Sequence, residues 1–446
     1  MGKTSEKTVI IAGAGLCGPL MAIYMARRGY RVKLYEKRPD PRIIELDAGK
    51  SINLALSVRG INALNEVGLA DEVLSTAIPM RGRMMHDLNG KLTFQPYGKD
   101  DSEAINSVSR PGLNKILIEA ADKNENVEVI FDHKCIDTEL DVPSCIFKNE
   151  KTGEISEVKG DFIIGADGAH SAVRRRMMRT DRFQYSQHHL EHGYKELRMP
   201  AADDGSHRME KHALHIWPRG HYMMIALANQ DGSFTVTCFW PFKGRDSFDG
   251  IQSGTDLTRF FKRTFPDSVP NLPDLVNEFF SNSTGSLVTV RCNPHHYSDK
   301  AILIGDAAHA VVPFYGQGMN ASFEDCYILN QILEDKKDRI EKAFAEYSNT
   351  RIENTNAIAD LALHNFIEMR DHTASGWFIF TKKLEQSIRN MLPGKFLPLY
   401  TMVTFSNIPY AEAVRRSKKQ DDAVKLFMVI VMIVLLAVIF VVLGIT

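Results

Sequence analysis

The segment that most constrains this chain is GAGLCG at 13–18, a Gly-x-Gly-x-x-Gly set between two short apolar runs. Thr8–Ala12 reads as a buried strand, being short, apolar and closed by glycine. Leu16–Arg28 then repeats apolar residues at helical spacing. Pro19 falls in its first turn, where a missing N–H does no harm, and Gly29 is placed to cap its end. Arg31–Tyr35 is a second strand, followed at once by Glu36. Strand, glycine turn, helix and strand in that order predict a parallel βαβ unit that binds a nucleotide. The helix N-terminus offers its amides and dipole to a pyrophosphate, and Glu36 stands where a carboxylate accepts from a ribose hydroxyl. The pattern predicts a dinucleotide without saying which.

Two more turns of the same texture follow buried strands: GADGAHSAVR at 165–174 after Asp161–Gly165, and LIGDAAHAVVP at 303–313 after Ala301. Between them, from about Tyr194 to Arg291, ALHIWP, HYMMIALAN and SFTVTCFW alternate with turn signals, which predicts a mostly antiparallel sheet inserted into the nucleotide domain. From Glu324 to about Gln420 the chain is charged and helical in period, interrupted at Pro393, Pro398 and Pro409. The predicted fold class is therefore α/β, a Rossmann-type nucleotide domain with an inserted antiparallel sheet and C-terminal helices.

The 54 Lys and Arg nearly cancel the 55 Asp and Glu, so there is no basic footprint for nucleic acid. Six scattered cysteines without a Cys-x-x-Cys pair suit reduced thiols. The run Leu426–Ile445 has twenty residues without a charge, about 30 Å as a helix, which matches a bilayer core. With Arg415, Arg416, Lys418, Lys419 and Lys425 just before it, it predicts a transmembrane tail anchor with the body facing the cytosol.

Taken together, Gly13-x-Gly15-x-x-Gly18, then Asp167-Gly168 with Ser171 and Arg174, then Gly305-Asp306 ahead of Ala307-Ala308-His309, resemble the single-component flavoprotein aromatic hydroxylases. The resemblance implies an FAD domain in three pieces (1–75, 105–185 and 296–345), a substrate-binding sheet domain (76–104 and 186–295), and a helical region over 346–420. It also implies NADPH and O2 as co-substrates. The cofactor contacts carried over are Gly13, Gly15, Cys17 and Gly18 in the loop, and Tyr35, Glu36, Lys37 and Arg38 after the second strand. Ala55, Arg110, Cys135 and Ala172 follow, with Asp306 on the ribityl chain. Gly318, Met319 and Asn320 belong to GQGMNA, where a helix N-terminus is expected to face the flavin ring; Pro313 argues against a separate NADPH fold there. Cys17 is expected to be a small packing residue, not a nucleophile. Lys50 stands where relatives carry Arg.

GKSINLALSVRG (49–60), IPMRGRMMHDLNGK (78–91), HIWPR (215–219), VVPFYGQGMNASFEDC (311–326), FIEMR (366–370) and FLPLYTMVTFS (396–406) narrow the resemblance to members that hydroxylate L-kynurenine at ring carbon 3. It implies Arg83 on the substrate carboxylate, assisted by Tyr97, with Phe314, Asn365 and Tyr400 completing the pocket and Tyr315 of open role. The membrane implied is the mitochondrial outer one. The oxidising species, a flavin C4a-hydroperoxide, is cofactor-borne, so no side chain is expected as a general base. Other readings are a membrane flavoenzyme acting on a lipid, disfavoured by the polar Arg83–Tyr97 pair, and a non-catalytic FAD-fold binding protein. His188-His189-Leu190-Glu191-His192 spells an inverted zinc-protease motif, but it runs into the strand-like GYKELRMP, so no metal is expected.

Overall fold

The computed structural model describes residues 7–43, 53–98, 103–367 and 396–442. They fall into two units, Met1–Thr373 and Ala374–Thr446.

In the first unit a six-stranded sheet is ordered His296–Tyr297, Ala301–Leu303, Phe162–Gly165, Thr8–Ala12, Arg31–Tyr35 and Val127–Ile130. All its pairings are parallel except that of His296–Tyr297. Val9, Ile10, Ile11 and Ala12 are fully buried, as a central strand covered on both faces demands. One face carries the helices Cys17–Arg27 and Gly318–Asp335, whose apolar residues join Val9 and Ile11 in one core. The three glycine turns all lie at the C-terminal ends of adjacent parallel strands. That is where open α/β sheets bind ligands.

A seven-stranded sheet runs Gly285–Asn293, Gln184–Met199, Phe234–Pro241, Tyr222–Ala228, Ala213–Arg219, Gly82–His86 and Leu92–Pro96. It is antiparallel but for the pair Ala213–Arg219 with Gly82–His86. Strand alternation splits it cleanly. Trp217, Phe234, Val236, Cys238 and Trp240 pack against helices Gly254–Thr264 and Leu275–Ser281 through Phe260, Phe261 and Phe279. Thr235, Thr237 and Phe239 consequently occupy the other face. Arg83 joins them: it is opposite Leu214 in register, while its strand neighbour His86 stacks on Trp217 on the helix side.

Two small antiparallel sheets were not expected: Asn53–Leu56, Ile105–Ser109 and Ile78–Met80, and Ile155–Lys159, Ser144–Asn149 and His133–Glu139. The helix Ile340–Ile367 ends the described part of the first unit.

In the second unit Pro398 caps the helix Leu399–Thr404, and Pro409 directly precedes the helix Tyr410–Val442, so these two prolines break the helices as expected. Pro393 lies outside the described residues, as does Lys50. The expected tail anchor is corrected: among the described residues no helix is long and apolar enough to cross a membrane. The helix opens with a charged half that extends to Lys425. The localisation drawn from that anchor falls with it.

Candidate active site

The glycine loop is built by its residue types. Gly13 sits at φ 98°, and its N–H donates to Tyr35 O at 2.7 Å. A Cβ on Gly13 would lie 2.5 Å from Ala166 O, and one on Gly18 would lie 1.9 Å from Gly13 O. Above Gly15, by contrast, there is open space within 4 Å. The helix Cys17–Arg27 begins at Leu16 without a side-chain cap or an acidic residue in its first turn, so its amides are left to a ligand. A crowded floor, an open roof and an uncapped helix fit a pyrophosphate.

Glu36 is buried and braces the backbone of the loop. Its Oε2 accepts from Ala14 N at 2.8 Å, and its Oε1 accepts from Arg38 N at 3.0 Å and Arg38 Nε at 2.7 Å. A residue missed in the sequence, Asn114, braces the loop from the other side. Its amide donates to Ala14 O (3.0 Å) and Gly15 O (2.8 Å). Its place in a helix following another segment left no local signal.

The other expected cofactor residues divide by what their side chains do. Lys37 and Arg38 are exposed beside Glu36. Tyr35 is buried and stacks on Phe147 at 3.8 Å, so its ring faces the core. The Cys135 thiol turns to Asp137 O at 3.6 Å. The amide of Ala172 donates to Asp167 Oδ2 at 2.6 Å, closing the Asp-Gly turn on itself. Arg174 then ties that turn to the next: its guanidinium donates to Ala169 O and, at 2.7 Å, to Ala307 O. Cys17 points away from the loop, with Sγ 3.4 Å from Ser322 O and 3.4 Å from Cys326 Sγ. The hydrogen bond to Cys326 and burial push its thiol well up, which suits a packing residue.

Asp306 opens the helix Asp306–His309. Its surface is exposed at the C-terminal edge of the parallel sheet, where open α/β sheets form their ligand crevice, and desolvation by the surrounding protein pushes its carboxyl up, opposed by Arg110 and His309. Arg110, exposed at the start of helix Arg110–Asp122, acts on Tyr194 of the large sheet as well. Asn320 is fully buried at the start of Gly318–Asp335. Its amide donates to Ala55 O (2.8 Å) and Gly316 O (2.9 Å), and its Oδ1 accepts from Ser57 N (2.9 Å). Gly318 and Met319 stand in the first turn of that helix, which has neither a side-chain cap nor an acidic residue there.

Of the residues expected at the substrate, the Arg83 guanidinium lies over the buried Tyr97 ring, 5.7 Å from its centroid. Asn365 donates to Phe314 O at 2.6 Å. The Phe314 ring stacks on Phe366 at 4.3 Å and meets Phe239 at 5.0 Å. His192 closes the cluster, 5.1 Å from Phe366. Phe239, Phe366 and His192 were missed; for Phe239 the signal was present, since it is an alternate position of SFTVTCFW. The His188–His192 stretch is strand, part of Gln184–Met199, as GYKELRMP suggested. Tyr400 belongs to the second unit, where its ring meets Phe405 at 6.3 Å.

Residues 6–361 match a family model described as an FAD binding domain. The chain is 46% identical over 424 residues to the kynurenine 3-monooxygenase of Myxococcus xanthus, covering 95% of this chain and 91% of that protein. The protein of the same name from Anopheles gambiae is 43% identical over 415 residues, covering 93% and 85%. Among solved structures, the tetrameric form of 2-methyl-3-hydroxypyridine-5-carboxylic acid oxygenase aligns with a TM-score of 0.67 at 21% identity, over 84% of this chain and 95% of that one. Pseudomonas aeruginosa PqsL in complex with 2-aminobenzoylacetate aligns with a TM-score of 0.65 at 20% identity, over 82% and 97%. At those identities the likeness is one of fold.

Proposed function

From the premise that this chain belongs to the kynurenine 3-monooxygenase family of FAD-binding proteins, we propose that it hydroxylates L-kynurenine at ring carbon 3, using NADPH and O2. The observation that carries this is the pairing of Arg83 with Tyr97 on the face of the large sheet turned away from its helices, the same face that presents Phe239 to Phe314. A carboxylate and an aromatic ring are the two ends of an aromatic amino acid.

FAD, when bound, supplies the redox chemistry, accepting electrons from NADPH and delivering one oxygen atom of O2. The chain's own residues do the rest. The 13–18 loop and the helix behind it hold the pyrophosphate, with Glu36 at the adenosine ribose and Asp306 at the ribityl chain. The first turn of Gly318–Asp335 directs free amides towards the ring, where they stabilise negative charge. Arg83 binds the substrate carboxylate in a planar, permanently charged fork, and Tyr97 backs it. Phe314, fixed through its carbonyl by Asn365, walls the aromatic end and keeps water from the reacting carbon. In this arrangement the FAD part spans the parallel sheet and its turns, and the substrate part is the seven-stranded sheet.

The test is kynurenine-dependent NADPH oxidation with identification of the product, in the parent and in Arg83→Ala. The variant should retain its flavin and weaken kynurenine binding by about 2–4 kcal/mol, the cost of losing a charged, partly desolvated partner. Unchanged kynurenine affinity with flavin intact would remove Arg83 from the site. Absence of 3-hydroxykynurenine from the parent reaction would sink the activity itself.

A further inference from the structure

Beneath the Gly305–Asp306 turn lies a chain of buried charges that neither the turn motifs nor the proposed chemistry uses. Arg59, on the helix Val58–Glu66, pairs with Glu324. Arg351, on Ile340–Ile367, donates through Nη1 to Glu324 Oε2 at 2.6 Å and through Nε to Asp325 Oδ1 at 2.7 Å. Asp325 Oδ2 accepts from the Gly305 N–H at 2.8 Å and from His309 Nε2 at 2.5 Å. Asp325 is 0% exposed, Arg59 and Arg351 are 1%, and His309 is 2%, so none of these charges leans on solvent.

Such a network is a poor way to gain stability. Burying the ions costs what their attraction returns, and apolar residues of the same size often do as well. Its value lies in the positions it fixes. Gly305 sits at φ 59°, ψ −144°, a conformation that side-chain-bearing residues avoid and that glycine reaches without strain, so the turn depends on its neighbours to stay in one place. A Cβ there would lie 3.0 Å from Ser322 Oγ and 3.3 Å from Cys17 Sγ, so the turn is also pressed against its neighbours. The Gly305 N–H is held by the carboxylate of Asp325, and the next residue, Asp306, is the one exposed in the cleft. His309, at the end of the same short helix, is held by the same oxygen. Burial alone would push the Asp325 carboxyl up, but His309 and Arg351 hold it well below the usual carboxylate range, so it stays an acceptor.

We propose that Asp325 is a positioning residue for the cofactor: by accepting the Gly305 N–H and the His309 N–H together, it locks the turn that presents Asp306 to FAD. Arg351 and Glu324 keep that carboxylate in place from behind. This rests on Asp306 being a contact to the FAD ribityl chain.

Asp325→Asn is the informative variant. It keeps the size of the side chain but sets an amide, with two donors of its own, against three donors from Gly305, His309 and Arg351. The full-length chain is stripped of flavin and equilibrated with FAD by dialysis. The affinity, the reduction potential of the rebound flavin and the denaturant midpoint of the apoprotein are then measured. Asp306→Ala reports on the turn itself. Arg28→Ala, which removes the Arg28–Asp338 pair and the bond to Asn330 near the far end of Gly318–Asp335, reports on general loosening. Asp325→Asn should bind FAD about tenfold more weakly or worse and shift the potential, while Arg28→Ala stays within about twofold. If Asp325→Asn does not fold, Arg351→Lys, which keeps the charge and loses the fork, should weaken FAD by about threefold or more.

A weakened Asp306→Ala beside an unaffected Asp325→Asn overturns the positioning role alone. FAD affinity unmoved in both overturns the role of the turn, and the inference with it. A loss in Asp325→Asn no larger than in Arg28→Ala at the same denaturant midpoint also overturns it, because the network would then be merely structural.

Discussion

Asn320 gives the sharpest test of how this cleft is held. Its side chain is fully buried and makes three hydrogen bonds at 2.8–2.9 Å, to Ala55 O, Gly316 O and Ser57 N, joining the start of the helix Gly318–Asp335 to the strand Asn53–Leu56. Neutral hydrogen bonds of this kind contribute about 1 kcal/mol each, so Asn320→Ala should cost about 3 kcal/mol. Expressed at the cleft, that is on the order of a hundredfold in FAD affinity. Asn320→Asp separates hydrogen bonding from packing. It is the same size and keeps the bond from Ser57 N, but it turns an oxygen towards two carbonyl oxygens. If the donors matter, Asp should do at least as much damage as Ala; if shape matters, Asp should resemble the parent. Equilibrium dialysis of FAD against the apoprotein, with denaturant midpoints for each variant, reads both. FAD affinity within about threefold of the parent in both variants, at unchanged stability, would refute the reasoning.

Two further outcomes follow from single residues. Gly18→Ala places a Cβ 1.9 Å from the Gly13 carbonyl oxygen, which is backbone and cannot step aside, so the purified variant should lack the flavin absorption near about 450 nm. A flavin-replete Gly18→Ala protein would contradict the loop geometry. Burial depresses His215 to about 4 from 6.5, its Nδ1 facing His86 Nε2 at 2.9 Å. The unfolded chain therefore takes up a proton first. The contribution of His215 is whole above about pH 6.5 and is lost as pH falls to about 4, for a total of roughly 3 kcal/mol. Denaturant midpoints across that window should fall steeply in the parent and less so in His215→Asn; parallel curves would remove His215 as the cause.

What could be read in advance was whatever the backbone demands locally. The loop at 13–18, the Asp-Gly turn and the Gly-Asp turn each need particular residues at particular positions, so their spelling betrays them. The alternating strands around SFTVTCFW were legible because one face had to be apolar. The buried ion network was not. Glu324, Asp325 and Arg351 stand in a stretch whose charge and helical period read as a solvated face, and only the packing of Gly318–Asp335 among the helices Cys17–Arg27, Val58–Glu66 and Ile340–Ile367 turns them inward. The sheet at 133–159 was missed for a similar reason: Ile155–Lys159 is mostly exposed and carries no apolar alternation. At the other end, the apolar run at 426–445 spoke too loudly. Its sequence counts residues, whereas the helix that carries it, Tyr410–Val442, opens on a charged half.

Glu36 has a consequence for the second nucleotide of the reaction. Pinned by Ala14 N and by Arg38, it is a fixed, buried anion at the place proposed for the adenosine ribose of FAD. That ribose carries a plain hydroxyl there. NADPH carries a phosphate at the same position, and its negative charge would be set against a carboxylate that cannot swing away. So placed, Glu36 would tell the two adenine nucleotides apart by one substituent, admitting FAD to this seat and turning NADPH away from it.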